Sequence, residues 1–192
     1  MSLLYNLTSN WAFIHIPKTG GTSINKVLQS DKNTEFLTSH DSIRLLPSDN
    51  LFTFTFVRNP YTRFLSAWKH GIRKNKYSAD LKEFIKNINL NDTWFLPQTY
   101  YINEGKTENK KVNFIGKYEN LKEDFQVVSS KIKVQGTLEH LNRNPIYDAH
   151  PLLNQDKYYL SMYKNNRWAE DFVKETYYND FKIFNYGMDI PR

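Results

Sequence analysis

Short apolar runs alternate with helical patterns along this chain. Runs from Trp11 to Ile16 and from Phe52 to Val57 predict two buried strands, and Val112 to Gly116 predicts another. A shorter strand is predicted from Glu35 to Thr38. Because strands alternate with helices, the pattern predicts an α/β fold: a mostly parallel sheet flanked by helices on both faces.

Apolar residues at helical spacing predict the helices. Those from Tyr61 to Ile72 recur at i, i+3, i+4, i+7 and i+11, so one helix should run from Pro60 to about Lys74 with Asn59 as its N-cap. Two other predicted helices cover Thr22 to Gln29 and Asp80 to Asn87. Another begins with a capping box of Asn120 and Glu123. The last predicted helix runs from Arg167 to Phe181, and its inner side should carry Trp168, Phe172, Tyr177 and Phe181. The stretch 136–154 reads as loop, and the chain as one domain, 1–192.

A glycine-containing segment, Pro17-Lys18-Thr19-Gly20-Gly21-Thr22-Ser23, follows the first predicted strand directly. Glycines let backbone N–H groups approach an anion, and a helix start adds unpaired donors and a positive dipole end. Lys18 adds a mobile cation. Hydroxyl donors come from Thr19, Thr22 and Ser23. The segment therefore predicts a phosphate-binding loop, the alternative being a tight strand-to-helix turn.

This segment differs from a Walker A loop, which has Lys directly before its Ser or Thr so that the hydroxyl can hold magnesium. Here Gly21 precedes Thr22, and Lys18 stands at the front of the loop. The pattern thus favours a P-loop-like three-layer fold that binds phosphate without a metal. No histidine pair has the spacing of a zinc site.

A second candidate anion site follows the strand that ends at Val57. Arg58 stands at the strand end, and Ser66 lies off the apolar stripe of the helix that begins at Pro60. An arginine and a serine so placed are expected to clamp a second phosphate.

The segments HIPKTGGTS and FVRNPYTRFLSAW resemble the two cofactor-binding signatures of sulfotransferases that use 3′-phosphoadenosine-5′-phosphosulfate (PAPS). The likeness is to the carbohydrate sulfotransferases, such as those for chondroitin and dermatan, and more distantly to heparan 2-O-sulfotransferases. Further segments follow in the family's order: SHDSIRLLPSDNLFTF, WFLPQ, NFIGKYENLKEDF and YYNDFKIFNYG. The resemblance covers most of the chain.

The resemblance implies transfer of the sulfuryl group of PAPS to a hydroxyl, most naturally one of a carbohydrate. Lys18 would then meet the charge on the leaving group, and residues 19–23 would hold the 5′-phosphosulfate. Arg58 with Ser66 would hold the 3′-phosphate. His40 would be the base, since histidine titrates near neutral pH and this one follows a predicted strand end.

Other polar residues are weaker candidates. The segment Gly116-Lys117-Tyr118-Glu119 follows a strand, and it is expected either to line the adenine side or simply to pack. Asn142, Arg143 and Asn144 resemble the late polar loop that would close over the bisphosphate. Gln98 is expected to face the acceptor. Asp41 and Glu35 are alternative bases, and Trp94, Tyr100 and Tyr101 either stack on a sugar or pack in the core.

Among the other histidines, His15 is expected to be packed and His70 to lie on an outer helix face. His140 and His150 are expected to lie in or beside the irregular region.

Composition narrows the class of partner. A net charge of +6 with no basic run favours a small anionic ligand or acidic acceptor over nucleic acid. The chain contains no cysteine and no apolar stretch long enough for a membrane span, so a cytoplasmic protein of microbial or viral origin is expected. A P-loop kinase of a nucleotide or metabolite and a catalytically silent cofactor-binding module are the alternatives.

Overall fold

A computed structural model of the protein describes residues 3–37, 43, 46–48, 50–102, 112–138 and 155–190. The chain divides into two units. The first comprises Met1–Arg58 and Gln98–Leu141, and the second Asn59–Pro97 and Asn142–Arg192. That the chain is one domain stays a prediction.

The first unit contains a sheet whose strands, among the residues described, lie in the order β3-β1-β2-β4-β5. The strands are β1 (Leu3–Asn6), β2 (Trp11–Ile14), β3 (Glu35–Leu37), β4 (Phe52–Val57) and β5 (Phe114–Lys117). β2, β4 and β5 are parallel, whereas β1 pairs antiparallel with both β2 and β3. The expected parallel arrangement thus holds for three adjacent strands, and the sheet as described is mixed.

Helices flank this sheet and build the second unit. In chain order they are α1 (Gly21–Leu28), α2 (Pro60–Arg73), α3 (Leu81–Asn87), α4 (Gln98–Ile102), α5 (Leu121–Ile132), α6 (Gln155–Tyr163), α7 (Arg167–Thr176) and α8 (Tyr178–Ile183). Asn59 caps α2 by accepting a hydrogen bond from the Tyr61 N–H, as predicted, and Asp80 caps α3 in the same way through the Glu83 N–H. None of the described helices is long and apolar enough to cross a membrane.

The core of the first unit is aromatic. Phe13 on β2 stacks on Phe54 of β4 with ring centroids 5.1 Å apart. Helices α1 and α5 cover these rings with aliphatic side chains and one further aromatic: Ile24, Val27, Leu28, Phe125, Val128 and Ile132. Burying a side chain of this size contributes about 1.5–3 kcal/mol, so the sheet and these two helices hold one another in place.

The second unit packs α2 against helices from the C-terminal part of the chain. Its buried apolar residues include Tyr61, Phe64, Trp68, Phe84, Phe95, Tyr163, Val173, Tyr177 and Phe181. Buried tyrosines find backbone acceptors: Tyr163 donates to the Tyr61 carbonyl at 3.0 Å, and Tyr177 to the Phe95 carbonyl at 2.8 Å. These bonds satisfy hydroxyls that burial would otherwise leave unpaired.

Three predictions about helices were wrong. The helix predicted from Arg167 to Phe181 is divided at Tyr177 into α7 and α8. Trp168 is 40% exposed, because Ala169 and Val173, four residues apart, form the inner row of α7 instead. Asn120 makes no side-chain cap, since a 3₁₀ turn over Tyr118–Asn120 leads into α5.

Candidate functional site

Parallel strands of the first unit bring three polar segments to one edge of the sheet. β4 lies between β2 and β5, and the three run in the same direction. The residues after Ile14, Val57 and Lys117 therefore leave the sheet at neighbouring positions. Ligands of α/β folds bind beyond this carboxyl edge.

The loop from β2 to α1 has an uncommon backbone conformation. Lys18 has φ 70° and Gly20 has φ 85°, both in the left-handed region. Gly20 is the N-cap of α1 and has no side chain with which to cap the helix, and the first turn carries no acidic residue. The positive end of the helix dipole is thus offset by no carboxylate of its own turn, which is the condition under which helix starts bind anions.

Both glycines of the loop lack room for a side chain. A Cβ at Gly20 would lie 2.7 Å from Cδ2 of Leu121, and one at Gly21 would lie 2.2 Å from Nε2 of His15. His15 itself is 5% exposed and stacks on the Phe13 ring at 5.7 Å, so the prediction that it is packed is confirmed. The two glycines therefore let the loop pack closely against His15 and the start of α5.

The hydroxyls predicted to bind phosphate lie in different surroundings. Thr19 is fully buried, and its Oγ1 donates to the Ile16 carbonyl at 2.8 Å. That bond uses the hydroxyl proton to close the loop, so the backbone N–H is what Thr19 brings to the anion-binding prediction. Thr22 is exposed in the first turn of α1, whereas Ser23 is buried and its N–H donates to the Gly20 carbonyl at 3.1 Å.

Arg58 reaches this loop from the end of β4. It is 2% exposed, and its Nη1 donates to the Lys18 carbonyl at 3.2 Å. Its guanidinium carbon lies 4.0 Å from the centroid of the Tyr118 ring, a cation–π contact that sequence reasoning missed. The structure thus brings Lys18, Arg58 and Tyr118 together from the three strand ends.

Gln98 does not face an acceptor site, so that prediction was wrong. Its side chain is fully buried, and both ends of its amide bind the backbone of Arg58. Nε2 donates to the Arg58 carbonyl and Oε1 accepts from the Arg58 N–H, each at 2.8 Å. No local signal could have found this pairing, because the two residues are 40 positions apart.

Two further predicted site residues, Lys117 and Ser66, belong to different units of the chain. Lys117 ends β5, and its N–H donates to Oδ2 of Asp124 at 2.6 Å. Ser66 lies on α2 in the second unit and is 7% exposed. Some predicted residues lie outside the described part of the chain: His40, Asp41, His140, Arg143 and His150.

The histidine and tyrosine candidates differ in how far they are buried. In the second unit, His70 is half-buried, with its ring in edge contact with Trp94 at 4.7 Å. Tyr101 is fully buried, whereas Tyr100 is 50% exposed.

Among the residues that the structure describes, no three histidine, aspartate or glutamate side chains gather in a group that could hold a metal ion.

The first unit is thus an α/β fold in which a glycine-containing loop leads from a parallel strand into a helix. The chain belongs to the sulfotransferase family, whose model matches residues 2–187. It is also similar to an uncharacterized protein from Archaeoglobus fulgidus, with 33% identity over 92 residues, 47% of this chain and 75% of the relative. No solved structure matches the chain at a significant level. The family resemblance drawn from the two signatures is therefore confirmed.

Proposed function

We propose that this chain transfers the sulfuryl group of PAPS to a hydroxyl of a carbohydrate, without a metal ion. The observation that carries the proposal is the β2–α1 loop, in which Lys18 and Gly20 both have left-handed backbones directly before the start of α1. Membership of the sulfotransferase family supports the reaction class.

The residues present suit an anionic nucleotide. The start of α1 offers backbone N–H groups and a positive dipole end, with no acidic residue in its first turn. Residues 19–23 would hold the 5′-phosphosulfate, and the Lys18 ammonium would lie beside it. Arg58 supplies a buried guanidinium next to the same loop. Roles for Ser66 and Arg58 at the 3′-phosphate, for Lys117 at the adenine and for Arg143 over the bisphosphate stay predictions.

PAPS, when bound, supplies a sulfuryl group on a phosphate whose bridging oxygen gains negative charge as the S–O bond breaks. Lys18 would stabilise that charge, and His40 would accept the proton of the acceptor hydroxyl. Positioning and electrostatic stabilisation dominate such transfers, as they do in phosphoryl transfer. Such a transfer needs a cation and a base, and on this proposal they are Lys18 and His40.

A thermal-shift comparison tests this function against its alternatives. Adenosine 3′,5′-bisphosphate without magnesium should stabilise the protein, by about 2.7 kcal/mol at a concentration 100 times its Kd. Mg·ATP should give no comparable shift. The reverse pattern would identify a kinase and overturn the proposal.

Transfer itself is tested with sulfur-labelled PAPS and a panel of glycans, lipids and small alcohols. We expect label in a glycan fraction, and label confined to lipids or alcohols would overturn the carbohydrate assignment. Stabilisation by the bisphosphate with no transfer to any acceptor would indicate a silent binding module.

A further inference from the structure

The segment WFLPQ, which ends at Gln98, has no role in the function proposed above. We propose that Gln98 is a positioning residue: it fixes the backbone of Arg58, and through Arg58 it holds Lys18 in its left-handed conformation. This inference rests on the proposed function of Lys18.

Gln98 acts on Arg58 as a neighbouring strand would. The last β4–β5 pair is Val57 with Lys117, so Arg58 is the first residue beyond the ladder. There the Gln98 amide supplies both a donor and an acceptor, each bond 2.8 Å long, to the backbone of this one residue. Because Gln98 and Arg58 are 0% and 2% exposed, water cannot readily replace either bond.

The side chain of Arg58 carries this constraint to the loop. Its Nη1 donates to the Lys18 carbonyl at 3.2 Å, and the Tyr118 ring lies 4.0 Å from its guanidinium carbon. A shift of the Arg58 backbone would therefore move a donor away from Lys18. Lys18 needs such a tether, because φ 70° is a conformation that residues other than glycine seldom adopt.

Misplacement by about 1 Å can lower a rate about 100-fold when it separates a charge from the reacting atoms. Loss of the Gln98 amide should therefore lower kcat more than it weakens nucleotide binding. The main test variant is Gln98→Met, which keeps a similar length and removes both hydrogen bonds. Gln98→Glu can still accept from the Arg58 N–H, but its second carboxylate oxygen faces the Arg58 carbonyl in place of a donor, so we expect a loss at least as large.

Asn113, an exposed residue directly before β5, offers a control at the start of β4. Its Oδ1 accepts from the Thr53 N–H at 2.7 Å, so it is also a side-chain amide bound to the β4 backbone, but at the opposite end. We expect Gln98→Met to lower kcat at least about 10-fold and Asn113→Ala less than about 2-fold. Equal losses in the two variants would overturn the positioning role.

A double-mutant cycle separates positioning from a general loss of folding. In a Lys18→Ala background, Gln98→Met should lower the residual rate less than about 2-fold, because the Lys18 ammonium that Gln98 helps to position is then absent. The same fold-loss in both backgrounds would show that Gln98 does not act through Lys18.

Hydrogen exchange of the backbone N–H groups of residues 18–20 provides a readout that needs no activity. Gln98→Met should speed their exchange about 10-fold, and Asn113→Ala should not. If the wild-type protein transfers no sulfuryl group yet its exchange responds in this way, the proposed function fails while the structural link stands. Unchanged exchange would overturn the link itself. Gln98→Glu, which keeps one bond, serves the same tests if Gln98→Met does not fold.

Discussion

Lys18, to which we assign the leaving-group charge, has a backbone conformation that most side chains avoid. A left-handed backbone costs a residue other than glycine about 1–2 kcal/mol. Here φ is 70°, and the carbonyl of Lys18 accepts a hydrogen bond from the buried guanidinium of Arg58. Strain of this kind tends to occur at functional sites, where surrounding structure compensates for it.

Replacing Lys18 tests its chemical role directly. Lys18→Ala should lower kcat at least about 100-fold, because the leaving-group charge would lose the cation that we propose stabilises it. Lys26→Ala, an exposed residue in the last turn of α1, is the control and should leave kcat within about 2-fold. Steady-state rates with sulfur-labelled PAPS provide the measurement, and a normal rate in Lys18→Ala would contradict the role.

His40→Ala should stop transfer while leaving the affinity for adenosine 3′,5′-bisphosphate nearly unchanged, since a base is needed only in the chemical step. A loss of about 100-fold or more is expected. Calorimetric titration and transfer rates together provide the test. If binding collapses while transfer persists, His40 has a structural role.

The alternative base Glu35 provides the comparison for His40. Its carboxylate accepts a hydrogen bond from the Tyr5 hydroxyl at 2.5 Å, which ties it to the neighbouring strand. Glu35→Gln should therefore transfer sulfuryl groups at a rate near that of the wild type.

At the scale of elements, the start of α1 depends on a position that only glycine suits. Gly20→Ala would place a Cβ at φ 85°, 2.7 Å from Leu121. Strain and crowding together should lower the free energy of unfolding by about 1–3 kcal/mol. Gly187→Ala is the control, because its Cβ would meet nothing closer than 4.0 Å. Urea unfolding compares the two, and equal stabilities would contradict the role of Gly20.

The segment between α2 and α4 is held by a small charged cluster. Asp92 accepts hydrogen bonds from Lys76 and Tyr77, and its Oδ1 accepts from the Trp94 N–H at 3.1 Å. Burial alone would raise the pKa of Asp92, but these hydrogen bonds outweigh burial and place the pKa below its ordinary value of 3.8. The folded state therefore favours the ionised carboxylate.

The sign of this shift predicts how stability depends on pH. A carboxyl whose pKa is lowered by folding contributes stability above its unfolded pKa, and that contribution is lost as the pH falls through the folded pKa. The stability difference between wild type and Asp92→Asn should therefore shrink as the pH falls from about 5 through the lowered pKa. Asp189→Asn, at a carboxylate that is 93% exposed, should show much less change. A pH-independent difference for Asp92→Asn would contradict the assignment.

At the scale of the whole molecule, the sequence predicted those strands and helices that have a clear apolar pattern of their own. Phe52 to Val57 was predicted at its observed bounds, because a buried apolar run ends at a proline-marked helix start. The strand over Leu3–Asn6 and the helices over Gln98–Ile102 and Gln155–Tyr163 were not predicted. The first two span only four and five residues, too few to show a period, and the apolar pattern of the third is weak.

In the candidate site, too, the sequence predicted features formed by adjacent residues and missed contacts between distant ones. The loop around Lys18 was predicted, because glycines, a lysine and a helix start are adjacent in sequence. The roles of Gln98 and Tyr118 depend on contacts with Arg58 across 40 and 60 positions. Such pairings arise from sheet order, which the sequence pattern specifies only coarsely.

The net charge of the chain should affect how fast it meets the proposed donor, PAPS. A net charge of +6 should attract a multiply charged nucleotide, and salt screens that attraction over about 10 Å at 0.1 M. We expect the KM for PAPS to rise several-fold between about 50 and about 500 mM NaCl, with kcat nearly constant. The KM of an uncharged acceptor is the internal control. A KM for PAPS that does not respond to salt would contradict this electrostatic contribution.

The contact between Gly21 and His15 has a consequence for how this family can vary. The imidazole fills the volume that any side chain at position 21 would need, because a Cβ there would lie 2.2 Å from Nε2 of the ring. Relatives with alanine or serine at position 21 should therefore carry a smaller residue at position 15. Positions 15 and 21 should therefore covary among relatives, and a larger residue introduced at position 21 alone should clash with His15.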